Sequence, residues 1–88
     1  MRTKGMSIIH DIIYGKEKEM KFISITSSNI VEVAYDKSIS RMHVKFTNGN
    51  LYVYSNVPEN TFNEFLNSES KGRFFAQNIK NNFEWERR

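Results

Sequence analysis

The chain has 88 residues, 39% of them hydrophobic, and its 13 Lys and Arg against 10 Asp and Glu leave a net charge of +3. That length supports one hydrophobic core and excludes two. There is no Cys to form a disulfide, neither His10 nor His43 has carboxylates at metal-ligand spacing, and no run approaches the roughly 18 apolar residues needed to span a bilayer. The expectation is a cytoplasmic domain with no cofactor, metal or membrane partner, in which a small core without staples favours homo-oligomerisation.

Residues 1–19 read differently from the rest. Ile8, Ile9, Ile12 and Ile13 recur at helical spacing, and Gly15 to Glu19 follow as a charged stretch before Met20. Residues 1–19 are therefore expected to be an N-terminal extension. Two readings stand for it: coding sequence upstream of a true start at Met20, or a short helix followed by a solvated linker. From Met20 the period becomes two. Phe22, Ile23 and Ile25 predict a lead-in strand that Thr26 to Asn29 interrupts. Ile30 to Tyr35 predicts a second strand with Val31, Val33 and Tyr35 on one face, closed by a turn at Asp36 to Ser38. Arg41 to Thr47 and Asn50 to Ser55 predict two further strands joined by Asn48-Gly49, a dipeptide suited to a two-residue type I′ turn. In that register Lys45 opposes Tyr52 and His43 opposes Tyr54. Met42, Val44, Phe46, Leu51 and Val53 then face the core, and His43, Lys45, Tyr52 and Tyr54 share the exposed face.

Asn56-Val57-Pro58-Glu59 predicts a helix start with Asn56 as cap and Pro58 in the first turn, and Phe62, Phe65 and Leu66 supply the buried stripe. Ser70 predicts the cap of a second helix whose stripe is Phe75, Ile79 and Phe83. Glu84 to Arg88 reads as a charged tail around Trp85. The fold class is α+β, a small antiparallel β-meander followed by two helices packed on the sheet.

The ordered set of motifs resembles the KTSC family, a small domain known as an appendage to lysyl-tRNA synthetases. The resemblance covers about Ser27 to Phe83. It rests on Ser27-Ser28-Asn29-Ile30, Tyr35-Asp36, the alternation Met42, Val44, Phe46 into Asn48-Gly49, Tyr52 and Tyr54, Val57-Pro58, and Ser70-Lys71-Gly72 leading to Phe75 and Ile79. Lys80 stands where the family more commonly has Arg, and residues 1–19 match nothing in it. The resemblance implies a strand meander followed by two helices, so residues 20–88 are expected to be the KTSC-like domain. Attachment to a synthetase suggests RNA contact by association alone.

Two constellations suggest a ligand. Ser70-Lys71-Gly72-Arg73 places two cations in the first turn of a helix, where the helix dipole favours anions by roughly 0.3–1 kcal/mol. A phosphate there would meet free N–H groups, a hydroxyl and both cations. The structural alternative is that Ser70 caps the helix, Gly72 permits tight packing and both cations are solvated. The face predicted to hold His43, Lys45, Tyr52 and Tyr54 could stack bases while its cations meet phosphates, or could support a helix or a second subunit. No nucleophile elbow, HExxH helix or paired-carboxylate motif is present, so the expectation is a non-enzymatic binding module.

The favoured ligand is a nucleotide or short nucleic acid, the nucleotide being preferred because +3 is modest for an extended nucleic-acid surface. A stand-alone module of this kind could sequester its ligand, as phage sponges do with the cyclic nucleotide signals of bacterial immunity. The Lys, Asn and Ile-rich composition suits a low-GC bacterium or its phage. The competing readings are an RNA-binding accessory domain and a protein-interaction or structural module.

Overall fold

The computed structural model describes residues 20–88. The expected N-terminal extension, residues 1–19, lies outside them. The elements in chain order are β1 (Ile23–Ser24), β2 (Ile30–Asp36), β3 (Arg41–Phe46), β4 (Leu51–Tyr54), α1 (Glu59–Asn67), α2 (Lys71–Asn78) and β5 (Trp85–Arg87). The strands form one sheet in the order β1-β2-β3-β4-β5, with every neighbouring pair antiparallel. The expected α+β meander with two following helices is the observed fold, with one strand, the last, added to the expected elements. Trp85–Arg87 lies in the expected charged tail, and it pairs with β4 through Tyr54 and Trp85, Val53 and Glu86, and Tyr52 and Arg87. No helix among the described residues is long and apolar enough to cross a membrane.

Both helices cover one face of the sheet. Ile30 and Val33 of β2, Met42 and Val44 of β3 and Tyr54 of β4 form a continuous buried cluster with Phe62 and Phe65 of α1, with Phe75 of α2 and with Ile79 at the C-cap of α2. Each fully buried Phe, Ile or Val contributes about 1.5–3 kcal/mol relative to an exposed side chain. Tyr35 stacks on Phe62 at 5.0 Å between ring centroids, and its hydroxyl donates to the Val57 carbonyl at 2.6 Å. This bond fixes the β4–α1 connection to β2. Asn56 does not cap α1 as expected: its φ of 61° turns the chain out of the sheet, and Pro58 occupies the N-cap position with no side-chain bond. A left-handed residue at this turn is what Asn tolerates best after Gly.

The pairing of β3 with β4 differs from the expected one by a single residue. Phe46 N–H donates to the Asn50 carbonyl (2.9 Å) and Gly49 N–H to the Phe46 carbonyl (2.9 Å), so the loop is Thr47-Asn48-Gly49. Gly49 alone in this loop has positive φ, 92°, while Asn48 does not. This is a type I turn followed by a left-handed bulge residue, not a type I′ turn. The Asn48 side chain accepts the Asn50 N–H at 3.0 Å, which favours the three-residue loop. Met42 therefore opposes Tyr54, His43 opposes Val53, Val44 opposes Tyr52 and Lys45 opposes Leu51. A one-residue slip exchanges faces. Tyr52 and Tyr54 lie on the helix-covered face with Met42 and Val44; Leu51 and Val53 lie on the other with His43 and Lys45. A second irregularity corrects β2. The register shifts between Ile30 and Glu32, so the core face carries Ile30, Val33 and Tyr35, and Val31 is exposed.

Two outcomes test this register. A Cβ on Gly49 meets nothing within 4 Å, so Gly49→Val should lose roughly 1–2 kcal/mol in urea denaturation from backbone strain alone, with Gly49→Asn losing clearly less. Tyr54 is only 3% exposed, so Tyr54→Ala should cost about 3 kcal/mol or more in the same measurement; a near-neutral result would place the ring on the open face.

Candidate functional site

Two segments distant in sequence meet at the start of α2. In the β1–β2 connection, Ser27 Oγ donates to Asn29 Oδ1 at 3.1 Å, and the Asn29 carbonyl accepts Thr47 N–H at 3.0 Å. The connection is thereby tied to the end of the β3–β4 hairpin. Gly72, in the first turn of α2, packs directly against it. A Cβ there would stand 3.4 Å from both Asn29 Oδ1 and Ser27 Oγ, at the near limit of ordinary van der Waals contact, so the helix starts in close packing with this loop.

Two clefts open on either side of this contact, and Asn29 and Gly72 border both. The first, of about 430 Å³, is polar and is lined by Ser27, Ser28, Ser70, Lys71 and Arg73, with the carboxylate-bearing Glu69 also on its wall. Ser70 occupies the N-cap position of α2 without a side-chain capping bond. Arg73 is exposed and has no ion pair among the described residues. Lys71 is partly engaged, since its Nζ donates to the Ser68 carbonyl at 3.0 Å and links the end of α1 to α2. The second cleft, of about 250 Å³, lies between β3, β4 and α2, and its walls are Phe46, Tyr52, Tyr54 and Phe75, with Lys80 beside them. Phe75 meets Phe46 and Tyr54 edge-on at 5.6 and 5.4 Å, and Tyr52 packs against Trp85 at 4.9 Å. Burial, with a smaller contribution from neighbouring Tyr52, pushes the Tyr54 phenol up to about 12. It is therefore a neutral hydroxyl throughout the physiological range.

Six of the eight expected site residues come together here: Ser70, Lys71, Gly72 and Arg73 at the polar cleft, Tyr52 and Tyr54 at the aromatic one. His43 and Lys45 do not. The register of β3 turns both to the face away from the helices, where Lys45 pairs with Glu32 at 4.0 Å and His43 lies between Ala34 and Val53. Sequence reasoning missed Asn29, Phe46, Phe75 and Lys80 as parts of the site. Gly72 and Ala76 share a face of α2 at a spacing of four, and Lys80 follows in the turn that closes the helix, where Lys80 N–H donates to the Phe75 carbonyl at 2.9 Å. Asn29 carries no comparable local signal, because its role depends on a contact across 43 residues of chain. Among the described residues no three His, Asp or Glu side chains are placed to hold a metal ion.

On the other face, burial lowers the His43 pKa from 6.5; Arg88 and Arg41 reinforce the shift and Asp36 opposes it. Because the folded value lies below the unfolded one, protonation favours the unfolded chain. The contribution of His43 is complete above pH 6.5 and is lost as pH falls through the lowered folded value. Urea midpoints should fall from pH 7.5 towards pH 5, and His43→Gln should flatten the upper part of that decline. An unchanged slope in the variant would assign the acid sensitivity to other groups.

Comparison with known proteins places this arrangement. A protein of Stutzerimonas stutzeri is 34% identical over 61 residues, spanning 69% of this chain and 86% of its own length. A protein of Tsukamurella paurometabola is 36% identical over 59 residues, spanning 67% and 88%. A crystal structure of a KTSC domain protein from Yersinia pestis superposes with a TM-score of 0.74 at 33% identity, covering 78% of this chain and 97% of that one. The family model of the KTSC domain matches residues 26–83, which span the β1–β2 connection, the hairpin and both helices that build the two clefts; the chain belongs to the KTSC domain family.

Proposed function

We propose that this chain is a non-enzymatic cytoplasmic binding module for a phosphate-bearing ligand, a nucleotide, which it acts on by holding it. The observation that carries this reading is the adjacency of the two clefts at Asn29 and Gly72. One offers what an anion requires: the positive end of α2, an uncommitted Ser70 hydroxyl and the Arg73 guanidinium. The other offers rings against which a base can stack. A mononucleotide carries an anionic group and a flat ring on one small scaffold, which suits two clefts sharing a border better than it suits an extended surface. A bound nucleotide held without chemistry is sequestered, and a sponge for cyclic nucleotide signals, of the kind phage use against bacterial defence, is the biological role this reading favours.

A protein-interaction reading, including assembly with a second copy, has one observation in its favour. Trp85 is 53% exposed on the edge strand β5, and Phe22 and Ile23 are exposed at the opposite edge. Such edges pair readily with other chains. An RNA ligand would use the same clefts as a nucleotide, with a steeper dependence on salt.

Calorimetry against mono-, cyclic and oligonucleotides separates these readings. Arg73→Glu should weaken nucleotide binding, and Lys71→Glu with Arg73→Glu should abolish it; the single variant leaves the Lys71 link between the helices intact. Tyr52→Ala should weaken binding by roughly 1–3 kcal/mol if the ring stacks. Unaltered affinity in the double reversal would remove the phosphate site, and binding of no nucleotide by the unmodified chain would favour the protein-interaction reading.

A further inference from the structure

The second cleft contains a polar group that the protein does not use. Tyr54 is only 3% exposed, it lines the 250 Å³ cleft, and among the described residues its hydroxyl has no hydrogen-bond partner. The contrast with Tyr35 is direct, since that hydroxyl is held by the Val57 carbonyl at 2.6 Å. Phe at position 54 would supply the same ring to Phe75 without carrying a polar atom into the core. A buried hydroxyl without a protein partner costs about as much as a lost hydrogen bond, and buried polar groups are nearly always paired. Its ring neighbours in the cleft wall are Phe46, Phe75 and Tyr52, and Asn29, Asn48 and Lys80 line the same cleft. None of these side chains is hydrogen-bonded to the Tyr54 hydroxyl, so the polar groups of the cleft are arranged around the phenol without engaging it.

We infer that the Tyr54 hydroxyl is a specificity-determining group, bonding the polar edge of a heteroaromatic ring that stacks in the aromatic cleft. This inference rests on the nucleotide reading and adds to it the kind of ring the cleft accepts. The phenol can donate to a ring nitrogen or carbonyl, or accept from an exocyclic amine. It stays protonated, so it discriminates by hydrogen bonding and not by charge. A hydrocarbon ring would fill the same space but leave the hydroxyl unpaired, and sites with a buried polar group reject ligands that cannot pair it. The cleft therefore takes a nucleobase in preference to a phenyl ring of similar area, whereas the polar cleft at the start of α2 treats their phosphates alike.

The experiment measures binding of UMP, CMP, AMP, GMP and phenyl phosphate to the full chain and to Tyr54→Phe, with thermal unfolding of both. The unmodified chain should bind at least one nucleotide about tenfold more tightly than phenyl phosphate, and Tyr54→Phe should remove most of that preference by weakening the nucleotide while leaving phenyl phosphate within about twofold. The melting temperature of Tyr54→Phe should equal or exceed that of the unmodified chain. Retention of the full preference in Tyr54→Phe, with nucleotide still binding, would overturn the role of the hydroxyl and leave the nucleotide reading standing. A clear fall in melting temperature would also overturn it, by showing the hydroxyl to be paired inside the protein. Binding of no nucleotide by the unmodified chain would overturn both.

Discussion

The loop Thr47-Asn48-Gly49 determines what each side of this molecule can do. Its backbone returns the chain through a left-handed Gly49 at φ 92°, and the Asn48 side chain secures the Asn50 N–H. Because side chains alternate along a strand, the length of this loop decides which residues of β4 join Met42 and Val44. With three residues in the loop, Tyr52 and Tyr54 stand beneath the helices. With two, Leu51 and Val53 would stand there, and the core would lack the rings that meet Phe75.

The aromatic cluster follows from that register. Phe75 reaches down from α2 to Phe46 and Tyr54, Tyr52 bridges to Trp85, and Phe65 meets Phe74 between the helices. Aromatic contacts of this kind contribute about 0.5–1.5 kcal/mol beyond area burial. The cleft walled by Phe46, Tyr52, Tyr54 and Phe75 lies among these rings, and it opens beside the polar loop where Gly72 packs against Ser27 and Asn29.

The two faces of the sheet divide their charges unequally. On the face away from the helices Lys45 is matched by Glu32, and Arg88 is matched by Glu86 at 2.8 Å. At the start of α2 no acidic residue occupies the first turn, while Lys71 and Arg73 do. Exposed pairs such as Lys45 and Glu32 contribute little to stability. Their importance here is that Lys45 and Arg88 are held in ion pairs, whereas Lys71 and Arg73 form none among the described residues although Glu69 lines the same cleft, and they stand beside the uncapped N–H groups of a helix.

The amino-acid sequence by itself determined the order of the first four strands and the two helices, the apolar stripes of Phe62, Phe65, Phe75 and Ile79, the conspicuous Ser70-Lys71-Gly72-Arg73 turn and the family, because these depend on local periodicity and on the order of short motifs. It did not determine the faces of β4, the bulge that exposes Val31, or the pairing of Trp85–Arg87 with the sheet. Asn48-Gly49 is compatible with loops of two or three residues, and the choice between them depends on which face of β4 the helices bury best. Only the tertiary structure could decide that Tyr54 belongs to the core and His43 does not, or bring Asn29 to Gly72. Those outcomes depend on packing between segments far apart in the chain, where the energy of one register over another lies in contacts that local sequence does not encode.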